Sequence, residues 1–267
     1  MTSAPLITSA GNPRVKAAVR LRDRSERDAT GLTIVDGTRE IARALDANVE
    51  VVESFVSEDL PDSTDALGVV GALERTGAPV TQVSKHVMAK LAFGDRTDGV
   101  IAIIRPPSVR LADLTLPPNP LVVVVESVEK PGNLGAVLRT ADGAGADAVI
   151  AADPLTDVFN PNAIRASLGT IFRLPLAVAA SGEVLDWLSR QAIHGLATRV
   201  DAPTRYTDID LRESVAIIVG SESTGLTATW RGQQVTPVRI PMLGAGDSLN
   251  VSVAAAILLY EAVRQRT

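Results

Sequence analysis

The middle of the sequence contains a continuous apolar run, Leu121–Val125, in which four β-branched valines follow the leucine. Such a run predicts a strand that is covered on both faces, because a strand with one face in water alternates apolar and polar residues. Strands covered on both faces are typical of parallel sheets, whose crossover helices pack on either side. The run therefore predicts an α/β fold.

Segments with strand and helix patterns alternate from this run to the C-terminus. Further strands are predicted at 148–153, 174–179, 195–200, 215–220 and 238–242. Helices are predicted at 133–146, 161–171, 182–195 and 248–266, and the last of these is apolar nearly all round in its first half. Strands that alternate with helices predict a mostly parallel sheet with helices on both sides.

A proline-rich segment precedes this region and predicts a domain boundary. Residues 105–120 hold five of the sixteen prolines. Proline removes a backbone donor and stiffens an extended chain, so we interpret 106–119 as a linker between a domain at 1–105 and a domain at 120–267. The first domain is predicted to be a small α/β domain. Its strands are expected at 32–37, 49–57, 79–84 and 100–106, and a helix at 38–48.

The first domain begins with a basic segment. Residues 12–27 contain six Lys or Arg against two acids, and Val15, Ala18 and Val19 recur at helical spacing. The segment is interpreted as one amphipathic helix with a cationic outer face. The excess of one sign favours contact with a polyanion, and a merely solvated face is the alternative. The candidate contacts with a polyanion are Arg14, Lys16, Arg20 and Arg24.

Composition excludes several kinds of chemistry. The chain has no cysteine, so disulfides, thiolate metal sites and a cysteine nucleophile are excluded, and its two histidines leave little for a histidine metal site. We predict no bound metal. The net charge of −5 means that any nucleic-acid contact must use local patches. No apolar run is long enough to cross a membrane and the N-terminus lacks a signal-peptide pattern, so a cytoplasmic protein is expected.

One loop resembles a phosphate-binding loop without its cation. The segment "GSESTGL" follows a predicted strand, but a leucine replaces the lysine of a P-loop and Glu222 lies inside it. Because the loop otherwise resembles a P-loop, a nucleotide hydrolase is one alternative function. Polar residues also follow other predicted strands, where open α/β sheets bind ligands. The set comprises Asn133 (at the expected N-cap of its helix), Arg139, Arg165, Glu222, Ser248 and Asn250.

Four segments resemble the motifs of the SpoU/TrmH-type RNA ribose 2′-O-methyltransferases of the SPOUT superfamily. They are "GNLGAVLRTADGAGAD", "NPNAIRASLGTIFRLPL", "IIVGSESTGL" and "IPMLGAGDSLNVSVAAAILLYE". "NPRVKAAVRLRDR" and "IVDGTREI" resemble the substrate-binding domain found in part of this family. One departure is that the family usually has glycine after the glutamate, where this chain has Ser223–Thr224.

The resemblance implies a fold and a function. It implies an α/β/α domain with a deep C-terminal trefoil knot, a homodimer, and S-adenosylmethionine-dependent methylation of RNA, with ribosomal RNA as the expected substrate. The alternatives are a transfer RNA substrate, or an RNA-binding protein of the same fold with weak catalysis. The implied cofactor residues are Gly220, Ile240, Met242, Ser248 and Leu249. The implied catalytic residues are Arg139, Asn133, Glu222, Ser248 and Asn250, and Arg165 is an implied RNA contact.

Overall fold

The computed structural model describes residues 6–93, 98–221 and 223–267. The strands are β1 Thr33–Asp36, β2 Glu50–Ser57, β3 Val80–Val83, β4 Val100–Arg105, β5 Leu121–Glu126, β6 Ala148–Ala152, β7 Leu176–Ala179, β8 His194–Thr198, β9 Thr204–Arg205, β10 Val215–Val219 and β11 Val235–Arg239. The α-helices are α1 Pro13–Arg20, α2 Arg24–Thr30, α3 Thr38–Asp46, α4 Thr64–Arg75, α5 Lys85–Leu91, α6 Pro131–Gly143, α7 Pro161–Ala166, α8 Ser181–Arg190 and α9 Val251–Arg266.

These elements form two compact units. The first contains the described residues up to Pro107 together with Phe159–Arg173, and the second contains Ser108–Val158 and Leu174–Thr267. The predicted domains at 1–105 and 120–267 are continuous stretches of sequence, whereas each compact unit combines two separate stretches. The predicted domain boundaries therefore stay a prediction.

The first unit is built on a four-stranded sheet of order β1-β4-β2-β3. Strand β4 is antiparallel to β1 and to β2, whereas β3 is parallel to β2. Buried residues of α1 and α5, among them Val15 and Leu91, pack with Phe55 and Ile101 of the sheet. The four strands and the helix expected in this region are present, and the helices α4 and α5 are additional to them.

The prediction of one helix over 12–27 is wrong, because the chain breaks at Leu21–Asp23 into α1 and α2. Leu21 is buried in the core at this point. The guanidinium of Arg22 donates to the carbonyl oxygens of Lys90, Leu91 and Ala92 at 2.9, 3.1 and 2.8 Å. These three carbonyls lie where α5 ends, so Arg22 fixes the break by a contact distant in sequence.

The segment Phe159–Arg173 packs within the first unit. Thr33 Oγ1 donates to the carbonyl of Phe159 at 2.9 Å, and Arg43 donates to the carbonyl of Leu168 at 2.6 Å. The helix predicted over 161–171 ends at Ala166, because Leu168 and Gly169 take left-handed backbone angles with φ of 55° and 82°. A Cβ at residue 169 would lie 2.9 Å from the Cα of Glu40, so the turn requires glycine there.

The second unit is built on a seven-stranded sheet of order β7-β6-β5-β10-β8-β11-β9. Every pair of neighbouring strands in it is parallel, which confirms the predicted α/β fold with a parallel sheet. Val122 and Val124 of β5 face a core that includes Val184 and Leu188 of α8. Val123 points to the opposite face and is also fully buried, so both faces are covered.

The C-terminal end of α9 is tied to the chain segments that lead into β5 and β10. Arg266 donates to the carbonyl oxygens of Glu213 at 2.6 Å, Leu211 at 2.8 Å and Asn119 at 3.1 Å. Burial lowers the pKa of Arg266. Gln265 accepts from the Leu211 amide at 2.8 Å, so two successive side chains hold the end of this helix in place.

Acid is expected to destabilise this end of α9 through Glu261. Hydrogen bonds from Arg264 and then Gln265 lower the pKa of the Glu261 carboxyl from 4.5 to about 2. Because the folded pKa lies below the unfolded one, this contribution is present above about pH 4.5 and is lost as the pH falls towards 2. Denaturant unfolding between about pH 6 and pH 3 should show stability falling less steeply in Glu261→Gln than in the wild type.

Asp210 also contributes stability that is lost as the pH falls through the same range, so the slope should not disappear completely in the Glu261 variant. Hydrogen bonds from Arg212 lower the pKa of Asp210 to about 2, so part of the slope should persist in Glu261→Gln. An unchanged slope in Glu261→Gln would contradict the role assigned to Glu261.

Candidate cofactor site

A folded-back loop follows β10 and depends on glycine at its first position. A Cβ at Gly220 would overlap the backbone of Gly225 and Leu226. The amide of Gly225 donates to the carbonyl of Ser221 at 3.0 Å, and Gly225 has a left-handed φ of 65°. The chain therefore reverses within six residues and brings its own backbone against Gly220.

Hydroxyl groups hold the part of the loop where the chain departs from the family motif. Ser221 Oγ lies 2.9 Å from Thr224 Oγ1 and 3.2 Å from Ser223 Oγ. Ser223 Oγ also donates to a carboxylate oxygen of Glu129 at 2.7 Å. These residues supply side-chain contacts that a glycine could not make. Glu222, an expected catalytic residue, lies outside the described residues.

The far end of the loop is fixed at Thr227 from two sides. The carboxylate of Glu126, at the end of β5 and 1% exposed, accepts from the Thr227 amide at 2.8 Å and from the Thr227 hydroxyl at 2.7 Å. Glu126 also accepts from Ser181 Oγ at 2.8 Å, and Arg199 donates to the carbonyl of Thr227 at 2.8 Å. Sequence reasoning missed Glu126, although an acidic residue directly ends an apolar strand there.

A cavity of about 530 Å³ lies beside this loop, at the carboxyl ends of β8, β10 and β11. All five expected cofactor residues line it: Gly220, Ile240, Met242, Ser248 and Leu249. They come from two separate loops, which follow β10 and β11. The parallel sheet brings these loops together because its strands end at one edge.

Among the described residues, the charged side chains that line this cavity carry a small negative excess. They are Arg199, Asp201 and Asp247. One N–H of Arg199 is used by the Thr227 carbonyl. Two carboxylates against one guanidinium disfavour a triphosphate and suit a ligand that carries positive charge.

A smaller cavity of about 180 Å³ shares Gly220, Ser221 and Val251 with the first and is also lined by Asn133. Asn133 is the third residue of α6, so its expected position as the N-cap is wrong. Lys130 occupies the N-cap and Pro131 the first helical position. Proline is favoured at this position because a backbone N–H there would have no hydrogen-bond acceptor within the helix.

Two of the expected catalytic residues lie in contact. Asn250 is the N-cap of α9, and its Oδ1 accepts from the Ser252 amide at 2.9 Å. Its Nδ2 donates to Oδ1 of Asn133 at 3.3 Å. This contact joins residues 117 positions apart in the sequence, at the starts of α6 and α9.

Arg139 lies away from these two residues. It is exposed on α6, about 9 Å along the helix axis from Asn133. It lines neither of the two cavities described above. An exposed guanidinium near the site can meet a large substrate that approaches from solvent.

The expected RNA contacts of the first unit are mostly in ion pairs. Arg14 pairs with Glu53 and donates to Thr81 Oγ1 at 2.6 Å. Arg20 pairs with Glu26 at 3.3 Å, and Arg24 pairs with Asp28 at 3.5 Å, whereas Lys16 is exposed on α1. Arg165, on α7, donates to the carbonyl of Phe93 at 3.1 Å. Three of these basic side chains are therefore partly neutralised by a neighbouring carboxylate.

Two kinds of feature are absent from residues 6–93, 98–221 and 223–267. No helix there is both long and apolar enough to cross a membrane. No group of three or more His, Cys, Asp and Glu residues there could hold a metal ion. The absence of a bound metal stays a prediction.

The chain belongs to the SpoU rRNA Methylase family, which it matches over residues 120–260. Residues 12–102 match the MRM3-like substrate binding domain. The resemblance drawn from the four motifs is therefore confirmed.

Relatives and solved structures match nearly the whole chain. The chain is 30% identical to the 23S rRNA (guanosine(2553)-2′-O)-methyltransferase RlmP of Bacillus subtilis (strain 168), over 95% of this chain and 97% of the relative. It is similar to a crystal structure of an RNA 2′-O ribose methyltransferase, with 44% identity, a TM-score of 0.85 and coverage of 98% and 99%. It is also similar to the AdoMet-bound rRNA methyltransferase from Sinorhizobium meliloti, with 28% identity, a TM-score of 0.88 and coverage of 98% of each chain.

Proposed function

We propose that this protein is an S-adenosylmethionine-dependent RNA ribose 2′-O-methyltransferase that acts on ribosomal RNA. The observation that carries the proposal is the gathering of Gly220, Ile240, Met242, Ser248 and Leu249 around one cavity at the carboxyl edge of the parallel sheet. The names of relatives that match most of the chain support the reaction and the ribosomal substrate. The AdoMet-bound neighbour supports the cofactor.

The residues around this cavity fit the proposed cofactor in size and in charge. A cavity of about 530 Å³ lies within the range of small-molecule sites, about 300–1,000 Å³. Asp201 and Asp247 place negative charge beside a ligand whose sulfur is positive. Gly220 lets the backbone of Gly225 and Leu226 pack directly against it, which folds the loop beside the cavity. Backbone amide and carbonyl groups at the cavity wall offer hydrogen bonds to an adenine edge.

When bound, the cofactor supplies a methyl group that is activated by a positively charged sulfur. The protein must then present the ribose 2′-hydroxyl oxygen to that methyl group and remove the hydroxyl proton. Arg139 is proposed to bind the adjacent RNA phosphate and to orient the hydroxyl or help to deprotonate it, because the planar fork of a guanidinium fits phosphate. Asn133, Ser248 and Asn250, together with Glu222, are proposed to position the ribose and Arg139.

Transfer of labelled methyl groups to ribosomal RNA tests the proposal directly. Purified protein should methylate ribosomal RNA, and ribose-methylation mapping should place the product at a 2′-oxygen. Isothermal titration should give binding of S-adenosylmethionine without binding of ATP. Binding of the cofactor with no transfer to any RNA would contradict the enzymatic function, and binding of ATP alone would favour a nucleotide hydrolase.

A homodimer and a trefoil knot belong to the same proposal. Val253 and Tyr260 lie seven residues apart on α9, are 47% and 53% exposed, and have the partly exposed Ile257 between them. An apolar stripe of this kind supports burial against a second copy. The order of strands, in which β10 lies between β5 and β8, supports a threaded C-terminal region. The cytoplasm, where RNA and the cofactor occur together, is the proposed location.

Basic residues of α1 and α2 are expected to contribute to RNA affinity. Alanine at Lys16, Arg20 and Arg24 should weaken binding. It should also flatten the dependence of log K on log salt, by about 0.7–0.9 for each RNA phosphate that the variant no longer neutralises. Filter binding at several salt concentrations measures both effects. Arg14 is left intact because it is tied to Glu53 and Thr81 in the sheet.

The matched control replaces basic residues that are also exposed and ion-paired in this unit. Lys85 pairs with Asp59 at 3.7 Å and Arg105 pairs with Glu50 at 3.1 Å. Alanine at Lys85 and Arg105 should leave the salt slope unchanged. Equal slopes in the wild type and in the Lys16, Arg20 and Arg24 variant would refute the RNA contact.

A further inference from the structure

The smaller cavity lies directly beside the proposed cofactor site. The two cavities share Gly220, Ser221 and Val251. The smaller one, about 180 Å³, is below the range of about 300–1,000 Å³ that small-molecule sites occupy, so it can enclose only part of a nucleotide. A group held there would lie next to the cofactor, which is where the ribose that accepts the methyl group has to be.

Glu129 lies at the solvent-exposed side of this smaller cavity, together with Lys130 and Ser223. The hydroxyl of Ser223 donates to one carboxylate oxygen of Glu129 at 2.7 Å. Ser223 belongs to the pair of residues that departs from the family motif, so this brace is not part of the usual motif. An ionised carboxylate can accept about four hydrogen bonds, and among the described residues only Ser223 donates to Glu129. Glu129 therefore keeps acceptor capacity for a substrate.

The chemistry of RNA restricts what such a carboxylate can contact. The phosphates of RNA repel it, so it is favourable only where it accepts hydrogen bonds from a base. On the Watson–Crick edge, guanine alone presents two adjacent donors, its ring N–H and its amino group. Adenine and cytosine present an amino group beside an acceptor, and uracil presents one N–H between two carbonyl oxygens. The two oxygens of a carboxylate therefore match guanine and meet an acceptor on every other base.

We propose that Glu129 selects guanosine as the nucleotide whose ribose is methylated, by accepting hydrogen bonds from the ring N–H and the amino group of the base. Unstacked bases in single-stranded RNA loops are commonly read on this edge. The hydrogen bond from Ser223 holds the carboxylate in place before the RNA arrives. This inference rests on the proposed function, since it takes the smaller cavity as the place of the acceptor ribose.

Glu129→Ala tests the proposal through the preference between bases. Ribose-methylation mapping of the wild-type product should identify a guanosine. RNA fragments with guanosine, adenosine, cytidine or uridine at that position then give kcat/KM for each base. The wild type should prefer guanosine by about 10–100-fold, the scale of one bidentate contact with a base. Glu129→Ala should lose most of this preference by losing rate on guanosine alone, whereas a carboxylate that only braces the loop would change all four values equally.

Inosine at the target position removes the amino group and keeps the ring N–H. It should lower kcat/KM of the wild type and leave that of Glu129→Ala at its value for guanosine. Asp186→Ala, which removes an exposed carboxylate on α8 of the same unit, should keep the wild-type preference.

Two results would overturn the inference and leave the methyltransferase function intact. One is a mapped target other than guanosine, and the other is an unchanged preference in Glu129→Ala. Absence of methyl transfer from the wild type to any RNA would instead contradict the proposed function, so the two failures are distinguishable.

Discussion

Replacement of Arg139 by alanine should reduce the rate of methyl transfer by about 10²–10⁴-fold, because positioned groups that orient a nucleophile and assist proton removal contribute on this scale. Cofactor affinity should change less than about twofold, since Arg139 does not line the cofactor cavity. The melting temperature should also be unchanged, because Arg139 is exposed on α6. Single-turnover transfer of labelled methyl groups and calorimetry of cofactor binding measure the two effects separately.

Two variants sharpen this prediction. Arg139→Lys keeps the positive charge but loses the planar fork, so it should recover only part of the rate if the guanidinium holds a phosphate by two hydrogen bonds. Arg190→Ala removes an arginine that is also exposed and on a helix of the same unit, and its rate should match that of the wild type. A near-normal rate in Arg139→Ala would show that the RNA is oriented by other groups.

The parts of the fold that follow from local pattern were predictable. Leu121–Val125 is apolar without interruption, so its burial on both faces could be predicted before any contact was known. The start of α6 differs from the prediction even though the sequence carries its signal, since Pro131 favours the first position of a helix. The prediction places the helix start at Asn133 because asparagine is a common N-cap.

Contacts between residues distant in sequence account for the features that sequence reasoning missed. The break between α1 and α2 depends on Arg22 reaching carbonyls 68–70 positions away. The anchoring of Thr227 depends on Glu126, 101 positions earlier. No local pattern encodes such pairs. The ion pair between Arg14 and Glu53 is another contact of this kind. Glu53 lies on β2, so the pattern of residues in the basic segment could not show that Arg14 is partly neutralised.

The spacing of polar residues at strand ends was informative for the candidate site, but it did not give their contacts. It indicated that the loops after β10 and β11 would meet, because parallel strands end at one edge. It did not indicate the hydrogen bond between Asn250 and Asn133, which requires the starts of α6 and α9 to lie side by side.

Gly220→Ala should lower cofactor affinity about 100-fold. Converted to free energy, this loss lies near the upper end of the cost of adding a methyl group to a packed region. The new methyl group would overlap the backbone of Gly225 and Leu226, and backbone cannot turn aside as a flexible side chain can. The loop would have to open, and Thr227 is held at its far end by Glu126 and Arg199, so the displacement would fall on the cavity wall. Titration calorimetry with S-adenosylmethionine measures the loss.

The matched control for this prediction is Gly182→Ala in α8, where an added Cβ meets nothing within 4 Å. It makes the same chemical change in the same unit, and alanine is the more favourable of the two residues within a helix. Its cofactor affinity should equal that of the wild type. If Gly220→Ala also bound the cofactor normally while remaining folded, the loop would not form the wall of the cofactor site. The cavity beside β10 would then have to serve a different ligand.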